Sequence, residues 1–134
     1  MIVKMEDLYK EISPMNFFSL CEIKEQETNF ILFKPKHFFL RNIDNIEYEI
    51  KKSGNELIIT DKGATFAYLY KTFFISYPDV IKNINKILSQ TGIIWYGNEF
   101  FYKINRNEKF IPQILKYLNR INILYTMEIF YEEL

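Results

Sequence analysis

The sequence predicts an α+β domain in which an antiparallel β-meander and a further hairpin pack against an amphipathic helix pair and a long C-terminal helix. Residues 46–51 alternate apolar and charged side chains, as in a strand with one solvated face. Apolar residues spaced three and four apart mark helices near 64–73, 76–92 and 110–127. Because the 134 residues contain no Pro/Gly-rich linker and no internal repeat, we assign 1–134 to a single domain.

The first quarter of the chain is predicted as a short helix followed by a hairpin. The helix covers residues 6–12, and Ser13-Pro14 either ends it or opens another turn, since the residue before a proline disfavours helical backbone and a proline suits a first turn. Short apolar runs within residues 18–33 flank the polar turn KEQET, which predicts two antiparallel strands. A helix over residues 15–24 is the alternative, because several apolar residues there also repeat every three to four positions.

Two strands in the middle of the chain are the clearest sheet signal. The apolar face of the first carries Ile46, Tyr48 and Ile50, and its charged face carries Glu47, Glu49 and Lys51. The turn signal Ser53-Gly54-Asn55 leads into ELIIT, residues 56–60. The unbroken apolar run of ELIIT predicts a central strand that is covered on both faces.

Three amphipathic helices account for most of the remaining chain. Their predicted buried stripes are Phe66, Leu69, Tyr70 and Phe73 in the first, Val80, Ile84, Ile87 and Leu88 in the second, and Ile111, Ile114, Leu115, Leu118, Ile121 and Tyr125 in the third. Pro78 and Pro112 belong in first turns, where a proline removes no helical hydrogen bond. Gly92 is predicted to cap the second helix in a left-handed conformation.

Composition and charge limit the class of protein. Seventeen basic residues balance seventeen acidic ones, and neither half of the chain is a basic arm. Proteins that bind double-stranded nucleic acid take most of their affinity from such positive charge, so the sequence does not favour that class. Cys21 is the only cysteine, which excludes an internal disulfide and indicates a reducing compartment, with the thiol buried. The sequence shows neither a membrane-length apolar run nor a signal peptide, so we expect a cytoplasmic location.

The stretch LIITDKGATFAYLYK, residues 57–71, joins a strand to a helix through a glycine turn. One interpretation makes Asp61 a catalytic or metal carboxylate, or makes the Gly63 backbone an anion cradle. The other makes Asp61 or Thr65 the helix cap and gives Gly63 a positive φ. Because phosphate-loop spacing is absent, we favour a structural hinge as the main role of this corner. A second, less favoured role is that Asp61, Lys62, Gly63 and Thr65 form part of a binding surface.

Other catalytic patterns in the sequence are weak. His37 is the only histidine, so a zinc site lacks further ligands and a Cys21–His37 pair lacks a supporting signature. Glu47 and Glu49 share a strand face, but their alternation is typical of a solvated face rather than a carboxylate pair. We therefore expect no metal, no cofactor and no catalytic residue.

The corner and the elements around it resemble a known family. Its motif is Leu-Thr-Asp-Asp-Gly-x-Thr at a strand-to-helix junction, and the matching positions are Ile59, Thr60, Asp61, Lys62, Gly63, Ala64 and Thr65. The family is an uncharacterised one of small bacterial and phage proteins, a domain of unknown function formerly numbered 1828, and the resemblance covers roughly residues 28–127. Lys62 stands where the family has a second acid, which argues against a metal held by paired acids. The resemblance implies a fold and no activity.

The function expected from the sequence is protein binding without catalysis. The predicted contact residues lie on an aromatic hairpin and are Trp95, Tyr96, Asn98, Phe101 and Tyr102, since aromatic side chains anchor protein partners. Small size, zero net charge and the missing catalytic pattern also fit a phage or mobile-element inhibitor of a bacterial defence system, such as an anti-CRISPR protein. One alternative is single-stranded nucleic-acid binding by base stacking on the hairpin. Another is a hydrolase or nuclease that uses Asp61.

Overall fold

Six antiparallel strands form one sheet in the computed structural model, which describes residues 21–35, 46–73 and 78–126. The strands are β1 (Cys21–Gln26), β2 (Phe30–Pro35), β3 (Tyr48–Ser53), β4 (Glu56–Thr60), β5 (Ile94–Tyr96) and β6 (Glu99–Ile104). Their order across the sheet is β1-β2-β3-β4-β6-β5. The helices of the described part are α1 (Ala64–Phe73), α2 (Pro78–Leu88) and α3 (Phe110–Tyr125). The α+β class predicted from the sequence is confirmed.

The first hairpin decides between the two predictions for the start of the described chain. Residues 21–26 form β1, which pairs with β2 across a turn at 27–29. The helix alternative over 15–24 is therefore wrong for the residues that the structure describes. The Cys21 thiol is buried, as expected. The predicted helix at 6–12 and His37 lie outside the described residues.

Two of the hairpins close with the same two-residue turn. Gly54-Asn55 joins β3 to β4, and Gly97-Asn98 joins β5 to β6. In both turns the glycine has a φ of 62°, whereas the asparagine is not in the positive-φ region. A positive φ at the first central position alone defines the type II′ turn, whose twist matches that of the flanking strands. These turns fix the strand register on which the candidate site depends.

The core lies between one face of the sheet and the helices. Ile50 on β3 pairs with Ile31 on β2 and with Ile59 on β4, and all three side chains are buried. The strand β4 is central as predicted, although Ile58 on its other face is only half-buried. The β5–β6 hairpin joins this same sheet beside β4, a placement that the sequence does not predict because it pairs strands far apart in the chain.

The buried face of α1 differs from the predicted stripe. Leu69 is buried and Phe66 is half-buried, but Tyr70 is 56% exposed, so its assignment to the core is wrong. Thr65 is buried one turn before Leu69, because hydrogen bonds at the start of the helix fix its rotation, as described below. The side chain of Phe73 lies outside the described part of the structure.

The ends of the other two helices test the predicted caps and prolines. Gly92 has the predicted left-handed backbone, with a φ of 79°, but Gln90, with a φ of 63°, is the first residue after α2 to adopt such a conformation. The Thr91 hydroxyl donates to the Leu88 carbonyl at 2.6 Å, which gives the last carbonyl of the helix a partner. Pro112 lies in the first turn of α3, as predicted. At 16 residues, α3 is the longest described helix, and none of the described helices is long and apolar enough to cross a membrane.

Gln113 is a buried polar residue on α3 that the apolar pattern did not reveal. Its Oε1 accepts from the Asn105 N–H at 2.7 Å and from the Tyr102 hydroxyl at 3.2 Å. Its Nε2 donates to the carbonyls of Asn105 and Lys109, each at 2.9 Å. One amide side chain therefore satisfies the backbone of the loop that joins β6 to α3.

We expect Gln113→Ala to lower the free energy of unfolding by about 2 to 4 kcal/mol, because several backbone groups would lose their partner at once. Urea unfolding measures the change. Asn119→Ala, an exposed amide on the same helix, is the matched control and should change it by less than about 0.5 kcal/mol. Equal losses in the two variants would contradict the role assigned to Gln113.

Candidate functional site

Asp61 organises the corner between β4 and α1. Its side chain is fully buried, and its Oδ1 and Oδ2 accept hydrogen bonds from the N–H groups of Gly63, at 3.0 Å, and Thr65, at 3.1 Å. Its backbone carbonyl accepts from the Ala64 N–H at 3.2 Å. Three successive N–H groups at the start of the helix, which have no acceptor within it, therefore donate to one residue. Asp61 caps α1.

The environment of this carboxyl is apolar and phenolic. Burial raises the pKa of Asp61 above its ordinary value, and hydrogen bonds from Thr65, Gly63 and the Phe100 backbone offset part of the rise. Burial likewise raises the pKa of each of the phenols that interact electrostatically with Asp61. These phenols belong to Tyr48, Tyr117 and Tyr125. The carboxyl faces the protein interior and offers no surface to a substrate.

The tip of the β5–β6 hairpin packs directly on this corner. A Cβ atom added to Gly63, whose φ is 86°, would lie 3.3 Å from the Asn98 carbonyl oxygen. The Thr60 hydroxyl accepts from the Lys62 N–H at 3.1 Å and donates to Glu99 Oε1 at 2.9 Å. The structure thus brings together, at one end of the sheet, two groups of site residues that the sequence predicts separately.

Lys62 has a left-handed backbone that the sequence did not predict. Its φ is 57°, and its side chain is exposed. This conformation disfavours most residues with a Cβ by about 1 kcal/mol or more, and Asn and Asp tolerate it better. Across the described residues, no three His, Cys, Asp or Glu side chains are placed to hold a metal ion.

A row of aromatic rings runs from α1 to the edge of the sheet. Phe66 stacks on Tyr70 with ring centroids 6.2 Å apart and lies 6.5 Å from Trp95. Trp95 in turn stacks on the buried ring of Phe100 at 5.3 Å. On the opposite face of β5, Ile94 is 39% exposed and Tyr96 is 79% exposed. We call Phe66, Tyr70, Ile94, Trp95 and Tyr96 the aromatic edge.

The predicted hairpin residues divide between this surface and the core. Tyr96 and Asn98 are exposed, Trp95 and Phe101 are half-buried, and Tyr102 turns its hydroxyl inward to Gln113. Phe66 and Tyr70 were missed as surface residues because their helical spacing matches a core stripe equally well. Only the position of α1 beside β5 distinguishes the two roles.

The aromatic edge itself is uncharged, and the lysines on the exposed face of β3 and β6 lie close to glutamates. No member of the aromatic edge is charged. On the adjacent sheet face, Lys51 lies 3.8 Å from Glu49 and Lys103 lies 3.5 Å from Glu56, measured between nitrogen and carboxylate oxygen. The surface is therefore suited to apolar rather than anionic ligands.

Comparison of the chain with protein-family models finds no match, and comparisons with curated proteins and with solved structures find none either. The resemblance to the uncharacterised bacterial and phage family therefore stays a prediction that rests on its motif and on the order of elements.

Gly63→Ala should reveal the contact between the hairpin tip and the corner. We expect it to lower the free energy of unfolding by about 2 to 3 kcal/mol, because the new methyl group adds crowding against Asn98 to backbone strain. Gly54→Ala is the matched control, since its φ is 62° but no atom lies within 4 Å of the added Cβ. It should cost only about 1 kcal/mol. Equal costs in urea unfolding would show that the contact contributes nothing.

Asp61 should also make stability depend on pH in a defined direction. Because burial raises the pKa of the folded carboxyl above its ordinary value of 3.8, the folded state binds this proton more tightly than the unfolded state. The resulting stabilisation is complete below the unfolded pKa and is lost as pH rises through the folded pKa. The free energy of unfolding of the wild type, minus that of Asp61→Asn, should therefore increase as pH falls from about 7 towards about 4. Urea unfolding across this range measures the difference, and a decrease would contradict the assignment.

Proposed function

We propose that the chain is a non-enzymatic module that binds another protein through the aromatic edge. The observation that carries the proposal is the exposure of Tyr96 and Tyr70 on two elements, the hairpin and α1, that both contact the corner at Asp61. Exposed aromatic side chains dominate the energy of protein interfaces when their position is fixed before binding. Here the hairpin is held by Gly63 and Thr60, and α1 is held by Asp61.

The absence of charge on the aromatic edge favours a protein over a nucleic acid. Single-stranded nucleic-acid binding combines stacking aromatics with a positively charged groove. On the sheet face, Lys51 and Lys103 each lie close to a glutamate, so that face supplies little of the positive charge that such binding requires. A protein partner with an apolar, uncharged surface needs no such groove.

Enzymatic use of Asp61 has less support than the binding role. The carboxyl is fully buried and accepts two backbone hydrogen bonds, whereas a general base must reach a substrate proton. The narrower expectation from the sequence, an inhibitor of a bacterial defence system, stays a prediction.

A comparison of variants in the native host tests the proposal. Tagged wild-type protein should recover a stoichiometric partner, and the double variant Tyr70→Ala with Tyr96→Ala should recover at least about tenfold less, since anchor aromatics contribute 1 to 2 kcal/mol or more each. Ile123→Ala is the matched control, because Ile123 is also an exposed apolar residue but lies on α3. It should leave recovery unchanged.

Two outcomes would overturn the proposal: no stoichiometric partner, or a partner that the double variant retains in full. Trp95 is the only tryptophan, so its fluorescence also reports occupation of the aromatic edge directly. Quenching of Trp95 by short DNA or RNA, without a protein partner, would instead favour the nucleic-acid alternative.

A further inference from the structure

The two edge strands of the described sheet are built differently. The register of β1 shifts between Ile23 and Glu25, and the strand exposes charged side chains at Glu22, Lys24 and Glu25. Bulges and edge charges of this kind prevent a second strand from pairing. In contrast, β5 has a regular register and no charged residue. Its short length of three residues is its main protection.

The hairpin register determines which backbone groups of β5 face outward. A two-residue turn separates Tyr96 from Glu99, so these residues form the hydrogen-bonded pair next to the turn. Trp95 and Phe100 are then a non-hydrogen-bonded pair, because the two kinds of pair alternate along an antiparallel ladder. The N–H and C=O of Trp95 therefore point away from β6, and no described strand lies beyond them.

We infer that β5 pairs with β5 of a second copy of this chain, antiparallel and about a two-fold axis at Trp95. The inference rests on the proposed function, since it names the partner that the aromatic edge takes. The Trp95 N–H of each copy donates to the Trp95 carbonyl of the other, which closes two hydrogen bonds. Ile94 of one copy then lies opposite Tyr96 of the other.

A second copy supplies the chemistry that this edge requires. It is an uncharged strand that presents one N–H and one C=O at its centre, which matches the edge of the first copy by symmetry. On the outer face, Ile94 and Tyr96 form apolar cross-strand pairs across the axis. On the helix face, the Trp95 residues of the two copies lie opposite each other, each ring stacked on Phe100 of its own copy, with Phe66 and Tyr70 of α1 beside it. Two backbone hydrogen bonds alone do not hold a dimer together. A stable interface buries roughly 1,200 Å² of surface, and these side chains must supply most of that area.

The mass of the purified full chain in solution tests the inference. One chain has a mass of 16.3 kDa, and light scattering from about 1 to about 500 μM should show conversion to twice that mass. Ile94→Lys should weaken association at least about tenfold, because it places a charge against an apolar side chain. Ile123→Lys makes the same substitution at an exposed apolar residue on α3 and should leave association unchanged.

Mixing two variants tests the register itself. Tyr96→Glu should also weaken association when it is present alone. Since residue 94 of one copy lies opposite residue 96 of the other, a mixture of Ile94→Lys and Tyr96→Glu proteins should recover a mixed dimer through an opposite-charge pair. Thermal unfolding confirms that each variant is folded, which we expect because both residues are exposed.

Each outcome either supports or overturns the inference. A wild-type chain that is monomeric at every concentration overturns it, as does a dimer that is insensitive to Ile94→Lys or a mixture that does not associate. The proposed function is judged separately. If the tagged wild type recovers a different protein and the Tyr70 and Tyr96 double variant does not, the proposed function stands even if the chain is monomeric. A monomer that also captures no partner would overturn both.

Discussion

The three backbone hydrogen bonds that Asp61 accepts at the start of α1 are the constraint on which the rest of the molecule depends. They orient α1, because the helix can rotate only as far as the N–H groups of Gly63, Ala64 and Thr65 remain in reach of one residue. That orientation buries Thr65 and Leu69 and leaves Tyr70 exposed. A surface feature is thus set by a fully buried side chain.

The same corner connects elements that are distant in the chain. β4 ends at Thr60, whose hydroxyl bonds both to the Lys62 N–H and to Glu99 on the second hairpin. The lack of a Cβ at Gly63 lets the hairpin tip approach the backbone closely. Strand termination, hairpin docking and helix capping therefore involve six successive residues, 60–65, which position both the hairpin and α1.

Local patterns predicted most of the elements, because helix and strand periodicity depend on neighbouring residues. The alternation at Tyr48 and Ile50, the proline in the first turn of α3 and the positive φ of Gly63 were all predicted from nearby sequence. The failures concern long-range effects. Tyr70 fits a core stripe by spacing and is exposed only because of how α1 is rotated. Gln113 shows no periodic signal, since its partners lie on a loop whose path the sequence does not specify.

The candidate site was predicted as two unrelated pieces for the same reason. Nothing in the sequence relates the corner at Asp61 to a hairpin some 35 residues later, because β4 and β6 are not consecutive strands. Residue types indicated each piece as a candidate, and the pairing of β4 with β6 places the two pieces next to each other. The distinction between an exposed and a buried aromatic residue likewise depends on which element covers it.

The contact between Gly63 and the hairpin tip has a consequence for how this surface can change over evolution. The atom that approaches Gly63 is the carbonyl oxygen of Asn98, not its side chain, which is exposed. The junction therefore constrains the main chain at position 98 and leaves its side chain free to vary. Lineages that share this junction could exchange the side chains displayed at the tip without rebuilding the scaffold beneath.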